Sequence, residues 1–348
     1  MGVVVEPKYL RGYAAQLDDG EGAAWGSLLR YCEDHCRNTA GFDGLLSLAR
    51  PVVYEMSSRV EGLVVQARRG MDDVAQRLRE SADLYETADS NAAERILATR
   101  GRRQMPTGYV EQDVKSTATA FSAGPDLFLP PPYDYSDTAE LKTSVLKKIE
   151  HINTLVRLVS GYDVLERLLP VIVGDSGALR RLAEAHRNME HAIRAVKHDV
   201  ESGMDLLSGH WTSDAPDGGA STAFDYQIRM RWIPALEAFA QANDACQQIY
   251  EAYAAEYDYF LNSVLFLLDL YFLRIVRLLA QLRFSTSFTQ RAGLIRKLVM
   301  EVINLIEEAY EQLHKMVVMM IQGLEAVIAL CGTVENMMHG DFRPFSAP

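Results

Sequence analysis

Histidines and cysteines at near-helical spacing are the residues of this sequence that could hold a metal ion. The stretch HRNMEH places His186 and His191 five positions apart, and CEDHC places Cys32 and Cys36 one helical turn apart beside His35. Helical zinc motifs need two histidines four positions apart, so that both face one way. His186 also falls on an apolar stripe, which favours a buried core histidine. We therefore predict no metal or other cofactor, with a metal site at CEDHC as the alternative to two helix cysteines.

Sequence motifs of the common enzyme classes are missing. The chain has no Gly-x4-Gly-Lys-Ser/Thr phosphate loop, no Gly-x-Gly-x-x-Gly fingerprint, no Gly-x-Ser-x-Gly elbow and no His-Glu-x-x-His. Its paired carboxylates lie among other charged residues on predicted helices, where a solvated face is the simpler interpretation. We predict that the protein is not an enzyme and has no catalytic residues.

Composition and charge narrow the class of protein and of partner. The 348 residues are 48 % apolar and 24 % charged, which is typical of a globular fold rather than of disorder. The net charge of −12 argues against a nucleic-acid partner, because phosphate backbones bind clustered lysine and arginine. The N-terminus MGVVVEPKYL has no basic region followed by an apolar core, so no cleavable signal peptide is expected.

Apolar residues recur every three or four positions along most of the chain, and no strand pattern stands out. This period predicts an all-α fold. The stripes comprise Val53, Met56, Val60, Leu63, Ala67, Met71, Val74, Leu78, Ala82 and Tyr85; Leu141, Val145, Ile149, Ile152, Val156 and Val159; and Leu179, Leu182, Met189, Ile193, Val196, Val200, Leu207 and Trp211. A shorter helix at about 22–37 precedes the first stripe, and two long helices at roughly 244–283 and 289–334 end the chain.

Prolines divide the predicted helices into modules. Five prolines between 101 and 137 break any helix there, which indicates a linker. The expected organisation is an N-terminal helical hairpin at 1–100, a proline-rich linker at 101–137, a helical module at 138–260, and an apolar C-terminal helical hairpin and tail at 261–348. We expect an elongated bundle built from two antiparallel hairpin modules and the long C-terminal hairpin.

The first stripe ends on the sequence LYETAD, in which Asp89 follows Tyr85 by four positions. Residues i and i+4 lie on one face of a helix, so this pair would present an aromatic ring and a charge together. A groove could bind such a helix end. The Tyr-x-x-x-Asp/Glu pattern occurs elsewhere in the chain, at Tyr109/Asp113, Tyr133/Asp137 and Tyr162/Glu166. Only the first pair lies at the far end of a long amphipathic helix.

Two stretches resemble proteins of bacterial type VII (ESX) secretion. LRESADLYETADSNAAERI resembles the end of the helical-hairpin substrates of this system, whose second helix carries Tyr-x-x-x-Asp/Glu. LLSGHWTSDAPDGGASTAFDYQIRMRW resembles its WXG-type segments, with Trp211 in the turn between two antiparallel helices and Trp232 on the returning helix. Ser213 stands where the family has the glycine of Trp-x-Gly. The resemblance covers about residues 40–100 and 138–260.

The resemblance implies a function and a set of partners. In this family, hairpins pair into a four-helix bundle that is exported folded, and the secretion ATPase reads the tyrosine–acid motif and the tryptophan turn as a composite. It therefore implies Tyr85, Asp89, Trp211 and Ser213 as a secretion signal, and the type VII ATPase and machinery as partners. The protein would be made in the cytoplasm and then secreted or held at the cell surface. Alternatively, Tyr85 and Trp211 only continue their apolar stripes as core residues.

The C-terminal helices are more apolar than an exported helical-hairpin module requires. Tyr259–Leu282 contains only three charged residues, and the 19 residues Met316–Val334 contain the single charge Glu325. A helix that spans a bilayer needs about 20 apolar residues. These helices either pack within the bundle or form a secreted membrane-active effector that touches or enters a bilayer through 259–282 and 316–334. A third interpretation is a cytosolic helical scaffold or chaperone-like protein, and a homo-oligomer or a helical partner remains open.

Overall fold

Long helices make up most of the computed structural model, which describes residues 3–99, 117–125, 127–133, 138–213 and 219–338. The helices are α1 (Pro7–Ala15), α2 (Glu21–Tyr31), α3 (Arg50–Thr99), α4 (Thr138–Ser160), α5 (Val164–Ile172), α6 (Ser176–Ser208), α7 (Gly219–Gln227), α8 (Ile233–Phe284) and α9 (Phe288–Met338). π-helical turns at Gln16–Gly20, Cys32–Cys36 and Ile228–Trp232 extend α1, α2 and α7, and a 3-10 helix at Gly44–Ala49 leads into α3. The predicted all-α helical bundle is confirmed.

Two very short strands were not predicted from the sequence. Strand β1 (Val3–Val5) pairs antiparallel with β2 (Trp211–Ser213), so that Val5 lies opposite Trp211 and Val3 lies opposite Ser213. Three residues are too few for an alternating pattern to stand out, and the pairing partners are far apart in the chain. These two strands do not change the all-α class of the fold.

The N-terminal hairpin begins with α1 and α2, which run antiparallel to α3. Arg11 of α1 donates to Asp83 in the second half of α3, at 2.7 Å. Arg79, earlier on α3, donates to Asp18, which follows α1, at 2.8 Å. The helical part begins at Pro7 rather than at about residue 22. Proline suits the first turn of a helix, because its missing N–H has no intrahelical partner there.

The second hairpin pairs α6 with α8. Arg180 at the start of α6 contacts Asp258 at 2.5 Å, whereas Lys197 further along contacts Glu237 near the start of α8, at 2.9 Å. Contacting residues therefore occur in opposite order along the two helices, which means that α6 and α8 are antiparallel. Asp175 caps α6 by accepting a hydrogen bond from the Gly177 N–H, which satisfies a donor that the first helical turn leaves free.

The C-terminal hairpin pairs α8 with α9 and completes the bundle. Arg274 of α8 contacts Glu301 of α9 at 3.2 Å, and Gln66 of α3 donates to the Glu335 carbonyl oxygen near the end of α9. Helix α8 has 52 residues and passes through residues 260 and 261, the expected module boundary, without interruption. At about 1.5 Å per residue, α8 is about 78 Å long, so it runs through both hairpins.

Part of the predicted linker lies on the surface of the bundle. We call residues 117–125 and 127–133 the linker strap. The Pro130 carbonyl oxygen accepts hydrogen bonds from the Tyr31 hydroxyl of α2 and from Asn188 of α6, at 3.0 and 3.2 Å. Further on, the Tyr133 N–H donates to the Glu184 carboxylate at 2.8 Å. The linker strap therefore covers the seam between the first and second hairpins.

Trp232 fixes how the returning helix approaches α3. Its ring lies against Gly70, where a Cβ atom would lie 2.0 Å from Trp232 Cη2. Gly62, on the same helix, has nothing within 4 Å of such an atom. Glycine at position 70 is thus required by packing, whereas at position 62 it is not.

This difference predicts opposite effects of one substitution at two sites of α3. Gly70→Ala is expected to lower the free energy of unfolding by about 1–3 kcal/mol, because the added methyl overpacks the contact with Trp232. Gly62→Ala is expected to raise it by about 0.5–1 kcal/mol, because alanine is the better helix former. Urea denaturation of both variants measures this. Equal stability of the two variants would contradict the placement of Trp232.

Candidate functional site

The aromatic residues of the two predicted motifs lie side by side. The ring centroids of Tyr85 and Trp211 are 6.4 Å apart, with an interplanar angle of 77°. This edge-to-face geometry is a favoured arrangement of aromatic pairs. Trp211 is only 4 % exposed and Tyr85 is half-buried. Residues from the first hairpin and from the turn of the second therefore meet at one end of the bundle.

Helix α3 carries Tyr85 to the point where its buried stripe stops. Among the α3 residues whose burial the structure describes, Ala82 is the last that is fully buried, and Leu84 is already 53 % exposed. Just there, Arg11 of α1 bonds to Glu86 and Asp83, and the arginine side chain is only 10 % exposed. The hydrogen bond to Glu86, followed by that to Asp83, raises the pKa of Arg11 above its usual value, so the guanidinium stays charged. The ion pairs hold this turn of α3 against α1.

Short backbone and ring contacts position Trp211. The preceding residue, His210, stacks on Tyr9 with ring centroids 3.5 Å apart, and its Nδ1 lies 2.9 Å from Glu6 Oε1. That hydrogen bond lowers the pKa of the Glu6 carboxyl. The Glu6 N–H donates to the His210 carbonyl oxygen at 3.1 Å, next to the pairing of β1 with β2. Phe224 of α7 also packs against the indole, at 5.5 Å between centroids.

Further rings extend this contact across the end of the molecule. Tyr13 of α1 contacts both Phe224 and Phe121 of the linker strap, at 6.4 and 5.9 Å between centroids, and its hydroxyl donates to the Val200 carbonyl oxygen of α6. A Cβ atom at Gly12 would lie 2.4 Å from Phe121, so glycine admits that ring. We call the six rings the aromatic cluster: Tyr9, Tyr13, Tyr85, Phe121, Trp211 and Phe224. It joins α1, α3, α7, β2 and the linker strap.

The other two predicted site residues lie at the edge of the aromatic cluster. Asp89 is one helical turn beyond Tyr85 and is exposed, without a hydrogen bond or ion pair to any residue that the structure describes. Ser213 ends β2, where it is partly buried and pairs with Val3. The structure thus brings Tyr85 and Trp211 into contact, leaves Asp89 facing solvent beside them, and ties Ser213 into the small sheet.

Three of the residues considered for metal binding lie in the core: His186, Cys32 and Cys36. His186 is fully buried, its Nδ1 lies 2.9 Å from Asn243 Oδ1, and burial lowers its pKa to about 4. His191 is largely exposed and contacts Glu190. Cys32 and Cys36 are both buried without a disulfide, and within the described ranges no group of three His, Cys, Asp or Glu side chains is arranged to hold a metal ion.

Residues that the sequence analysis did not single out contribute to this end of the molecule. Arg11, His210 and Phe121 come from α1, from the start of the small sheet and from the linker strap. For α1 a signal was present, because Leu10, Tyr13, Ala14 and Leu17 follow a helical period. All four are fully buried. For Phe121, which lies in an irregular segment, the period gives no information.

Helix α9 is long and apolar enough to cross a membrane, by length and composition alone. Of its most apolar 18-residue window, 33 % is buried within the bundle. The buried face includes Met316, Val317, Met320, Leu324 and Val327. In this structure that face packs inside the bundle.

An exposed charge lies beside the aromatic cluster at this end of the bundle. An exposed carboxylate at Asp89 lies next to a half-buried ring at Tyr85, on a helix that continues to Thr99. A groove in another protein can bind a helix end of this kind through one anchor and one charge. Comparison of the chain with protein-family models, with curated proteins and with solved structures finds no match.

Proposed function

We propose that this is a non-enzymatic protein that a bacterial type VII secretion system exports in its folded state. The contact between the Tyr85 and Trp211 rings carries the proposal. A composite signal requires the tyrosine–acid motif and the tryptophan turn to lie together, although they come from different hairpins. The two rings are 6.4 Å apart, and both belong to the aromatic cluster.

The partner in this proposal is the secretion ATPase, which would bind the face of α3 that carries Tyr85 and Asp89. Arg11 already pairs with Asp83 and Glu86, whereas Asp89 faces solvent. Asp89 is therefore the acid that remains available to a positively charged groove. Because Tyr85 meets Trp211 only when both hairpins are packed, the composite exists only in the folded chain. The protein would be made in the cytoplasm and released, or held at the cell surface, by the type VII machinery.

Export of Asp89→Asn tests this proposal, because the change removes a charge from an exposed side chain. We expect the variant to stay in the cell with an unchanged melting temperature, since no described contact is lost. Glu94→Gln, an equally conservative change at another exposed acid of α3, is the matched control and should be exported normally. Cell and culture fractions from a host with an intact type VII system give the result.

The variant Tyr85→Phe tests the contributions of the ring and of the hydroxyl to export separately. It keeps the aromatic contact with Trp211 and should be as stable as the parent. Its export then shows whether the machinery reads the hydroxyl or only the ring. Normal export of Asp89→Asn, or retention of Glu94→Gln to the same degree, would contradict a specific signal at this site.

The alternative function, a membrane-inserting effector, depends on α9. The length and apolar character of Phe288–Met338 favour it. Insertion would, however, expose to lipid the face of α9 that packs against α8 and α3, so the C-terminal hairpin would first have to separate from the bundle. A cytosolic scaffold is the third candidate, in which the aromatic cluster has only a structural role.

A further inference from the structure

The C-terminal hairpin has an unusual distribution of charge where α8 turns into α9. Residues 270–300 carry six positive side chains and no acidic one: Arg274, Arg277, Arg283, Arg291, Arg296 and Lys297. The whole protein carries −12, so with +6 in this stretch the remaining residues carry −18. A strongly acidic protein thus concentrates positive charge at one place.

This stretch extends beyond the packed core. Ile275 is the last buried residue of α8, and Leu298 is the first buried residue of α9. We call residues 276–297 the hairpin tip, and none of them is buried. From residue 276 to Phe284, α8 extends by about 14 Å at the usual helical rise. The hairpin tip is therefore a projection of two helices and a turn.

Two phenylalanines flank the turn of the hairpin tip. Phe284 is 81 % exposed and Phe288 is 86 % exposed, on either side of residues 285–287. Leu273, about three helical turns before Phe284 on α8, is 68 % exposed. Single exposed apolar residues are normal on soluble proteins, but large apolar side chains gathered with a polar rim mark interaction sites.

The positive charges of the hairpin tip are available to a partner. Arg274, just before the tip, contacts Glu301 and lies over the Tyr271 ring. Within the described residues, the other five cations of the stretch have no acidic side chain within ion-pair distance. All five are exposed. Their charge is thus not neutralised by the fold.

We propose that the hairpin tip docks on the surface of an anionic lipid bilayer. Phe284 and Phe288 enter the interface, where aromatic side chains are favoured. The surrounding arginines and Lys297 contact the lipid phosphates, and such a surface attracts each nearby cation by about 1 kcal/mol. Phe284 lines a groove with Arg277 and Lys297, and Phe288 lies at the turn, 86 % exposed. Exposed rings combined with positive charge that no described acidic side chain neutralises favour the surface of an anionic bilayer.

The negative charge on the rest of the protein determines how the molecule is oriented on the bilayer. The rest of the protein carries −18 and is repelled by the same anionic surface. Only an end-on approach brings the hairpin tip to the lipid while the acidic body stays away. Helices α8 and α9 keep their packing in this arrangement, so docking differs from insertion of α9.

Binding of the purified full-length protein to vesicles tests the inference without any secretion machinery. We expect binding to vesicles of phosphatidylcholine with phosphatidylglycerol, little binding to phosphatidylcholine alone, and weaker binding as salt increases. Arg283→Glu with Arg291→Glu should weaken binding at least about tenfold, because attraction becomes repulsion. The matched control, Arg68→Glu with Lys315→Glu, makes the same charge change at exposed sites away from the tip and should bind like the parent protein.

Two further measurements test the phenylalanines and the depth of contact. Phe288→Trp should show a blue shift of its fluorescence on binding to the mixed vesicles, and Phe284→Ser with Phe288→Ser should weaken binding with an unchanged melting temperature. Vesicles loaded with dye should retain it. Equal binding to both kinds of vesicle, no binding to either, full binding by the arginine variant, or dye release would each overturn the inference of peripheral docking. A failure of export would leave these results unaffected.

Discussion

Replacing Trp211 with alanine is expected to lower the free energy of unfolding by about 3–5 kcal/mol, the range for removing a large buried aromatic side chain. The indole is 4 % exposed and contacts the rings of Tyr85 and Phe224. Its removal leaves a cavity between α3 and α7 that the paired strands β1 and β2 cannot easily fill. Urea denaturation at neutral pH measures the loss.

Two controls identify the cause of that loss. Trp211→Phe keeps an aromatic ring in the cluster and should cost clearly less. Tyr226→Ala removes a ring that is 58 % exposed on α7, and should change the stability by no more than about 0.5 kcal/mol. If Trp211→Ala and Tyr226→Ala were equally stable, the aromatic cluster would not hold the two hairpins together.

Acid is expected to destabilise the protein through His186. Burial lowers the pKa of this histidine to about 4, from an ordinary value of 6.5. As the pH falls below 6.5, this histidine takes up a proton in the unfolded chain, whereas in the folded chain it does so only near pH 4. The contribution of His186 to stability is therefore complete above pH 6.5 and is lost between 6.5 and 4, by up to about 3 kcal/mol.

Burial keeps His186 neutral, and the hydrogen bonds around it determine which ring nitrogen carries the hydrogen. The Asn243 amide Nδ2 donates to the Phe239 carbonyl oxygen at 3.1 Å, which turns its Oδ1 toward the imidazole. His186 Nδ1 then carries the hydrogen and donates to that oxygen, at 2.9 Å. Neutral imidazole meets this requirement without placing a charge in the core.

The comparison with two glutamine variants measures the histidine contribution. His186→Gln cannot take up a proton, so its stability should fall less steeply between pH 6.5 and 4 than that of the parent. His191→Gln changes an exposed histidine five positions away and should keep the parent slope. Denaturant unfolding across this pH range gives both slopes, and equal slopes for all three proteins would contradict a neutral, buried His186.

The long helices could be predicted because each buries one stripe against its neighbours. The period from Val53 to Tyr85 matches a buried face of α3, and the stripe that ends at Trp211 matches α6 and the turn after it. Strands β1 and β2 could not be predicted, since three residues show no alternation. The path of the linker strap could not be predicted either, because Phe121 is held by a tertiary contact at Gly12 rather than by a local preference for one secondary structure.

The candidate site was predictable in part. The i, i+4 spacing places Tyr85 and Asp89 on one face of a helix, but only the packing of two hairpins places Trp211 beside them. The positive run of residues 270–300 is visible in the sequence. That Phe284 faces solvent follows only from where the other helices stop.

The length of α8 separates two chemically different ends. Phe224 of the aromatic cluster lies just before α8, and Phe284 of the hairpin tip lies at its last residue. About 78 Å of helix lies between them. This is several times the Debye length, the distance beyond which salt screens the interaction between two charges. A partner bound at one end would neither block a partner at the other end nor interact with it electrostatically. Partners of the two proposed sites could therefore occupy both ends at the same time.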